Sequence, residues 1–248
     1  MTAIAASGDI AADATGGPGG TSDQANGGTA GAADLRVSLT ATGPVAIFAS
    51  AIGGAGGSSN SSSGAIGAAP RLQLSGTSTG GLDVTISGKL IGGDGGNAVA
   101  HAGDGASVSA VNTVNGNTTG NLNLSQTVIG GNGGLLGSAI GAIGSPGQGG
   151  TASSDLSKTA STGASQFVLD AVAEGGVGGG TTFGAAAGSG GDAIAFAQGT
   201  QTGLNISVTG QAVAGSGGGT PMVPGGVGGP AARHSTSPPV CPKPMAAR

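Results

Sequence analysis

Tryptophan and tyrosine are absent from this 248-residue chain, phenylalanine occurs four times and cysteine once. The single cysteine, Cys241, excludes an internal disulfide framework and any cysteine-based zinc site. Charge is scarce as well: Lys, Arg, Asp and Glu make up 7% of the residues, against about 25% in an ordinary globular domain. The formal net charge is only −4 and the mean hydropathy is +0.20. Charge-driven disorder, which pairs low hydrophobicity with high net charge, is a poor description of such a chain. Before Thr220 four basic residues (Arg36, Arg71, Lys89 and Lys158) face all eleven acids, a balance that repels phosphate, so no nucleic-acid partner is expected. The most apolar stretch, 135–143, is about half the ~20 residues that a membrane-spanning helix needs, and Gly and Ser interrupt it. The opening MTAIAASGDIAAD has neither the basic region nor the apolar run of a signal peptide.

Glycine dominates what remains. There are 58 Gly and 42 Ala, so the two smallest side chains account for 100 of 248 positions. A single packed core is a poor expectation, because so little apolar surface cannot offset the ordering of so long a chain. Backbone hydrogen bonds and stacked repeats must carry the fold instead.

A repeat is present. Gly-Gly-x-Gly-Gly starts at Gly16, Gly53, Gly92, Gly130 and Gly175, and a near match, AGSGG, starts at Ala214. The period is near 39, with one longer unit of 45. Eight residues before the clusters stand Val45, Val84, Leu122, Phe167 and Ile206; six before them stand Ile47, Ile86, Leu124, Leu169 and Val208. The residues between and after these are mostly polar, as in Thr85 and Ser87, Asn123 and Ser125, Ser207 and Thr209. That alternation reads as a strand with one buried face. Ile52, Ile91, Ile129 and Val213, directly before the clusters, suggest a third rung, with Glu174 as the exception. A looser second strand precedes each: Leu35–Val37, Leu72–Leu74, Val108–Val111 and Ile194–Phe196. The expectation is an all-β fold: a parallel β-helix of about five irregular ~39-residue repeats, each coil stacked on the next, with glycine at corners that demand positive φ.

After Gly219 the composition changes. Residues 220–248 contain seven of the eleven prolines, His234 and Cys241. Proline lacks the donor a sheet ladder requires. The solenoid is therefore expected to span 1–219 and 220–248 to form a disordered tail, with a shifted reading frame as a possible origin of its Pro- and Arg-rich text.

Chemistry-bearing constellations are sparse. The histidines are His101 and His234, and neither stands beside a nucleophile in a recognisable pattern. Asp170 and Glu174 lie four apart in a non-helical, Gly-flanked context, which does not make a carboxylate pair. Glycine-rich matches to phosphate loops are inevitable in this composition, and none carries the Lys-Ser/Thr of a P-loop. GGDGGNAVA from Gly92 and AGSGGDAIA from Ala187 approach the calcium-binding nonapeptide, with Asn97 and Asp192 at the acidic position, but they lie 95 residues apart without tandem neighbours. No catalytic, cofactor-binding or metal-binding residues are assigned, and the chain is read as non-enzymatic.

The phrases VAIFASAIGGAGGSSN (45–60) and ISGKLIGGDGGNAVA (86–100) resemble the Gly-rich passenger repeats of Gram-negative autotransporters. The resemblance covers about residues 8–219. It implies an exported β-helix displayed at the cell surface or secreted, with structural or adhesive roles toward a surface or matrix ligand. A glycine-rich surface protein of the mycobacterial type and a calcium-stabilised secreted repeat are the alternative expectations.

Overall fold

The computed structural model describes residues 2–137, 144–159, 166–182, 186–201, 205–219 and 226–236. Within them the chain is all-β: parallel sheets stacked as a solenoid, one coil per repeat. One face is a six-stranded sheet of β2 (Gly8–Thr15), β4 (Val45–Ile52), β6 (Val84–Ile91), β9 (Leu122–Ile129), β11 (Phe167–Glu174) and β13 (Ile206–Val213). Every neighbouring pair is parallel and eight residues long. The register stacks Val45, Val84, Leu122, Phe167 and Ile206 in one column, and Ile47, Ile86, Leu124, Leu169 and Val208 in the next. Between β4 and β11 both columns are buried, so alternation did mark the inward face.

The opposite face is two four-stranded parallel sheets. One contains β1 (Thr2–Ala5), β3 (Asp34–Ala41), β5 (Arg71–Ser78) and β8 (Val114–Asn117). The other contains β7 (Val108–Val111), β10 (Ala152–Thr159), β12 (Ala193–Thr200) and β14 (Ala231–Thr236). The inward side chains of the two faces meet in one core, in which small residues face large ones. A Cβ on Gly116 would sit 2.6 Å from Leu122 Cδ1, and one on Gly88 would sit 2.8 Å from Val114 Cγ2. Glycine inside a strand is here a packing residue.

The glycine clusters are not corners. Among the described glycines only Gly81 has a left-handed φ, +73°. Each cluster is an extended run, and its backbone donors repeat with a period of three. Gly53, Gly56 and Ser59 donate to Ile91, Asp94 and Asn97 of the next coil, while Gly54 and Gly57 donate to Gly31 and Gly28 of a returning run. The returning run repeats the rule: Gly64 and Gly67 donate to His101 and Asp104, while Ala65 and Ala68 donate to Gly57 and Gly54. Three residues per turn with no bonds inside the run is the geometry of polyproline II. Glycine is needed for close approach: a Cβ on Gly93 would lie 1.9 Å from the carbonyl oxygen of Gly54. Each coil therefore has two strands and two glycine-rich runs, packed backbone against backbone. The 45-residue unit lengthens mainly the tip between its two runs, where 138–143 lie outside the described residues.

Three further expectations are corrected, and one strand has no sequence signal. Ile52, Ile91 and Ile129 are in register with one another but seven positions from Val45, Val84 and Leu122, an odd offset, so they point outward and are half-buried. In β12 the inward residues are Ala193, Ala195 and Ala197, while Ile194 is 53% exposed. β10, whose inward residues include Ala152, Ser154 and Leu156, lacks the large apolar pattern that marks β4, β6, β9 and β11. Finally, the solenoid does not stop at Gly219. Gly226 and Gly229 bond to Gly218 and Gly215, and β14 pairs in parallel with β12. Pro230 stands just before β14, as Pro70 stands just before β5, where the ladder does not need its missing donor. Residues 220–225 and 237–248, including Cys241, lie outside the described residues.

Candidate functional site

His101, Asp170 and Glu174 are dispersed over the solenoid. His101 is exposed and its Nδ1 lies 3.0 Å from Ser145 Oγ, one coil on. Asp170 and Glu174 both point outward from β11, four residues apart and so roughly 13 Å along the strand. Partial burial raises the Asp170 carboxyl above the usual carboxylate value. Among the described residues no three His, Cys, Asp or Glu side chains converge on a common point. No helix there is long and apolar enough to cross a membrane.

The two near-nonapeptides are far apart on the coils, and Asp94 and Asn97 of the first, like Asp104, Asn132 and Gln148, bond to backbone of the following coil. Asp94 Oδ1 accepts the Asn132 N–H at 2.7 Å, and Asn132 Oδ1 accepts the Val177 N–H at 2.9 Å. Asp104 Oδ1 accepts the Gln148 N–H at 2.7 Å, and Gln148 Oε1 accepts the Ser189 N–H at 2.8 Å. Asn97 Oδ1 does the same for Leu135 at 2.8 Å. These donors stand at the third position of each polyproline II triplet, the one that neighbouring runs leave unbonded. A side chain from the preceding coil fills the vacancy, which explains Asp, Asn and Gln at the variable position of Gly-Gly-x. Asp192 contributes its backbone carbonyl, which accepts the Ala152 N–H at 2.9 Å.

Two surfaces are available for contact. The first is the outward side of the six-stranded sheet, where Thr85, Ser87, Asn123 and Ser125 are half-buried and Ser207 and Thr209 exposed, all outward as the alternation required. In-register pairing makes them columns: Thr85 beside Asn123, Ser87 beside Ser125.

The second is a fault in the opposite face. One strand of the third repeat is broken at Asn112, whose φ is +49°. β8 pairs back to β5 only from Leu74 onward, while β7 pairs forward to β10. Gln126, fully buried, bridges the break. Its Oε1 accepts from the Thr113 N–H and hydroxyl at 2.9 Å each, and its Nε2 faces Ala110 O, Ser154 Oγ and Asp155 O at 3.1 Å each. On the β10 side, Asn112 Oδ1 accepts the Ser157 N–H at 2.6 Å, and Lys158 Nζ donates to Asn115 Oδ1 at 2.6 Å. Burial lowers the Lys158 ammonium below its usual value. On the β5 side the fault stays open as a cleft of about 200 Å³, with Pro70, Leu72 and Leu90 as apolar lining and Asp34, Arg36, Arg71, Gln73, Ser109 and Thr113 as polar lining.

No protein-family model matches the chain, and no curated protein matches it. A solved structure, the nine polyproline type II helical bundle springtail antifreeze protein from Granisotoma rainieri, aligns at 17% identity over 90% of this chain and 96% of that one, with a TM-score of 0.19. A likeness at that level carries no argument about fold or function.

Proposed function

We propose that the chain is a non-enzymatic structural or adhesive repeat protein of a cell surface or the extracellular space, whose work is done by extended faces rather than by a reaction centre. The observation that carries the reading is the outward side of the six-stranded sheet. Its Thr, Ser and Asn side chains stand in register on the adjacent strands β6 and β9 and recur at Ser207 and Thr209 of β13, with Val168 and Asp170 of β11 between them, a hydrogen-bonding surface suited to a surface or matrix ligand. The likeness of the 45–60 and 86–100 phrases to autotransporter passenger repeats supports the same reading and the expectation of display outside the cell.

The test is adhesion of the purified chain, coupled to beads, to matrix-coated and to bacterial surfaces. Replacing Thr85, Ser87, Asn123 and Ser125 together with Ala should reduce bead retention severalfold while the β-sheet circular dichroism is unchanged. Retention equal to that of the parent would count against the reading.

A further inference from the structure

We infer that the open side of the fault, between β5 and β7, is a binding site for an extended peptide segment bearing a carboxylate. Arg71 N–H donates to Ala33 O of the preceding coil, and Leu74 N–H donates to Thr113 O of the following one. By the two-residue alternation of a strand, the peptide groups of Leu72 face the same way as those of Leu74. There, among the described residues, no strand pairs with Arg71–Gln73. On the far side Val108 N–H donates to Thr151 O, so Ser109 and Val111 turn their peptide groups back into the opening. The cleft thus presents two short strand edges toward each other, with Leu90 buried between the faces as its floor. Edges of this kind accept an added strand through main-chain hydrogen bonds. Three residues at about 3.3 Å each give an edge of roughly 10 Å, enough for a short extended segment.

Charge sets the second half of the recognition. Arg36 Nε lies 3.3 Å from Asp34 Oδ1, so one of the two arginines beside the cleft is balanced. The Arg71 guanidinium has no ion-pair or hydrogen-bond partner among the described residues, and neither does the Gln73 amide nor the Ser109 hydroxyl. A guanidinium fork beside two neutral donors is a carboxylate receptor. It stands out on a chain that has seven basic residues in all.

The experiment uses the ¹⁵N-labelled full chain titrated with acetyl-Val-Thr-Asp-Thr-Val-amide. The expected result is saturable shifts of the Leu72, Ser109 and Val111 amide signals. Binding should be about tenfold weaker for the Asn-containing peptide amide and for Arg71→Gln, the loss of one charge-assisted bond. Lys89→Gln, on the opposite face, should leave affinity unchanged. If the Asn peptide with a free C-terminus binds as tightly as the Asp peptide amide, the site takes chain ends as well as side chains, which still supports the proposal. No shift at these amides at millimolar peptide overturns it. So does an affinity indifferent to Arg71→Gln, and so does sodium acetate reproducing the same shifts at the same affinity.

Discussion

Single residues hold this fold through hydrogen bonds and close approach more than through bulk. Gln126 is the clearest case, because its amide satisfies backbone groups that the break at Asn112 would leave buried and unpaired. Gln126→Leu keeps the volume and loses every bond. Each orphaned group costs about 1–3 kcal/mol, so urea denaturation should show a loss of several kcal/mol at unchanged m-value. Gly93 tests the other mechanism. Its missing side chain leaves room for the Gly54 carbonyl, and Gly93→Ala forces one run off another. A marked fall in melting temperature is expected, whereas Ala55→Ser at an exposed triplet position should be near neutral. Asp170 supplies the pH dependence. Its folded pKa is raised by burial above 3.8, so the contribution it makes to stability is fully present below the unfolded pKa and is lost as pH rises through the folded value. Asp170→Asn should therefore match the parent in acid and melt higher than it at neutral pH; equal melting at both ends would contradict the burial argument.

Among the elements, legibility followed side-chain size. The strands of the six-stranded sheet were readable because Val, Ile, Leu or Phe stands at both inward positions in five successive coils, and the structure stacks those residues in register. The opposite face was half readable. Val37, Leu72, Leu74 and Val108 point inward, but opposite Phe167 the core has little room left and β12 turns alanines in and Ile194 out. There the volume of a partner 26 residues away decides orientation, and local alternation cannot see it. A Cβ on Gly199 would lie 3.2 Å from the Phe167 ring and 2.8 Å from Val208 Cγ2, the same crowding seen from the other side. The glycine runs were found by their repeat and misread in conformation, since composition alone does not separate a positive-φ corner from a run that must pack backbone on backbone. The cleft had no sequence signature at all. It arises from a break in pairing that only the register reveals, beside arginines that look like ordinary surface residues. Element-level burial also makes a prediction: Ile86→Asp places an unpaired carboxylate between β4 and β9, costing several kcal/mol, with loss of β-sheet circular dichroism as the readout.

For the whole molecule, stability is a sum over neighbouring coils, each coil leaning on the next through two strand ladders and two glycine runs. That architecture explains how a chain so poor in large side chains stays ordered: nearly every strand and run donates to a copy of itself one repeat away. It also explains why β14 forms at 231–236, where no large apolar residue marks a strand, since an existing coil supplies the template for the next. The central claim is the single-coil register, and disulfide trapping tests it most directly. In a Cys241→Ser background, Thr85→Cys with Asn123→Cys places two outward thiols on paired positions of adjacent strands, roughly 5 Å apart between Cα atoms, within disulfide range. Thr85→Cys with Ser207→Cys places them three strand spacings apart, roughly 14 Å. Mild oxidation should close the first pair nearly completely and leave the second open; failure of the first pair, or equal closure of both, would contradict the solenoid described here.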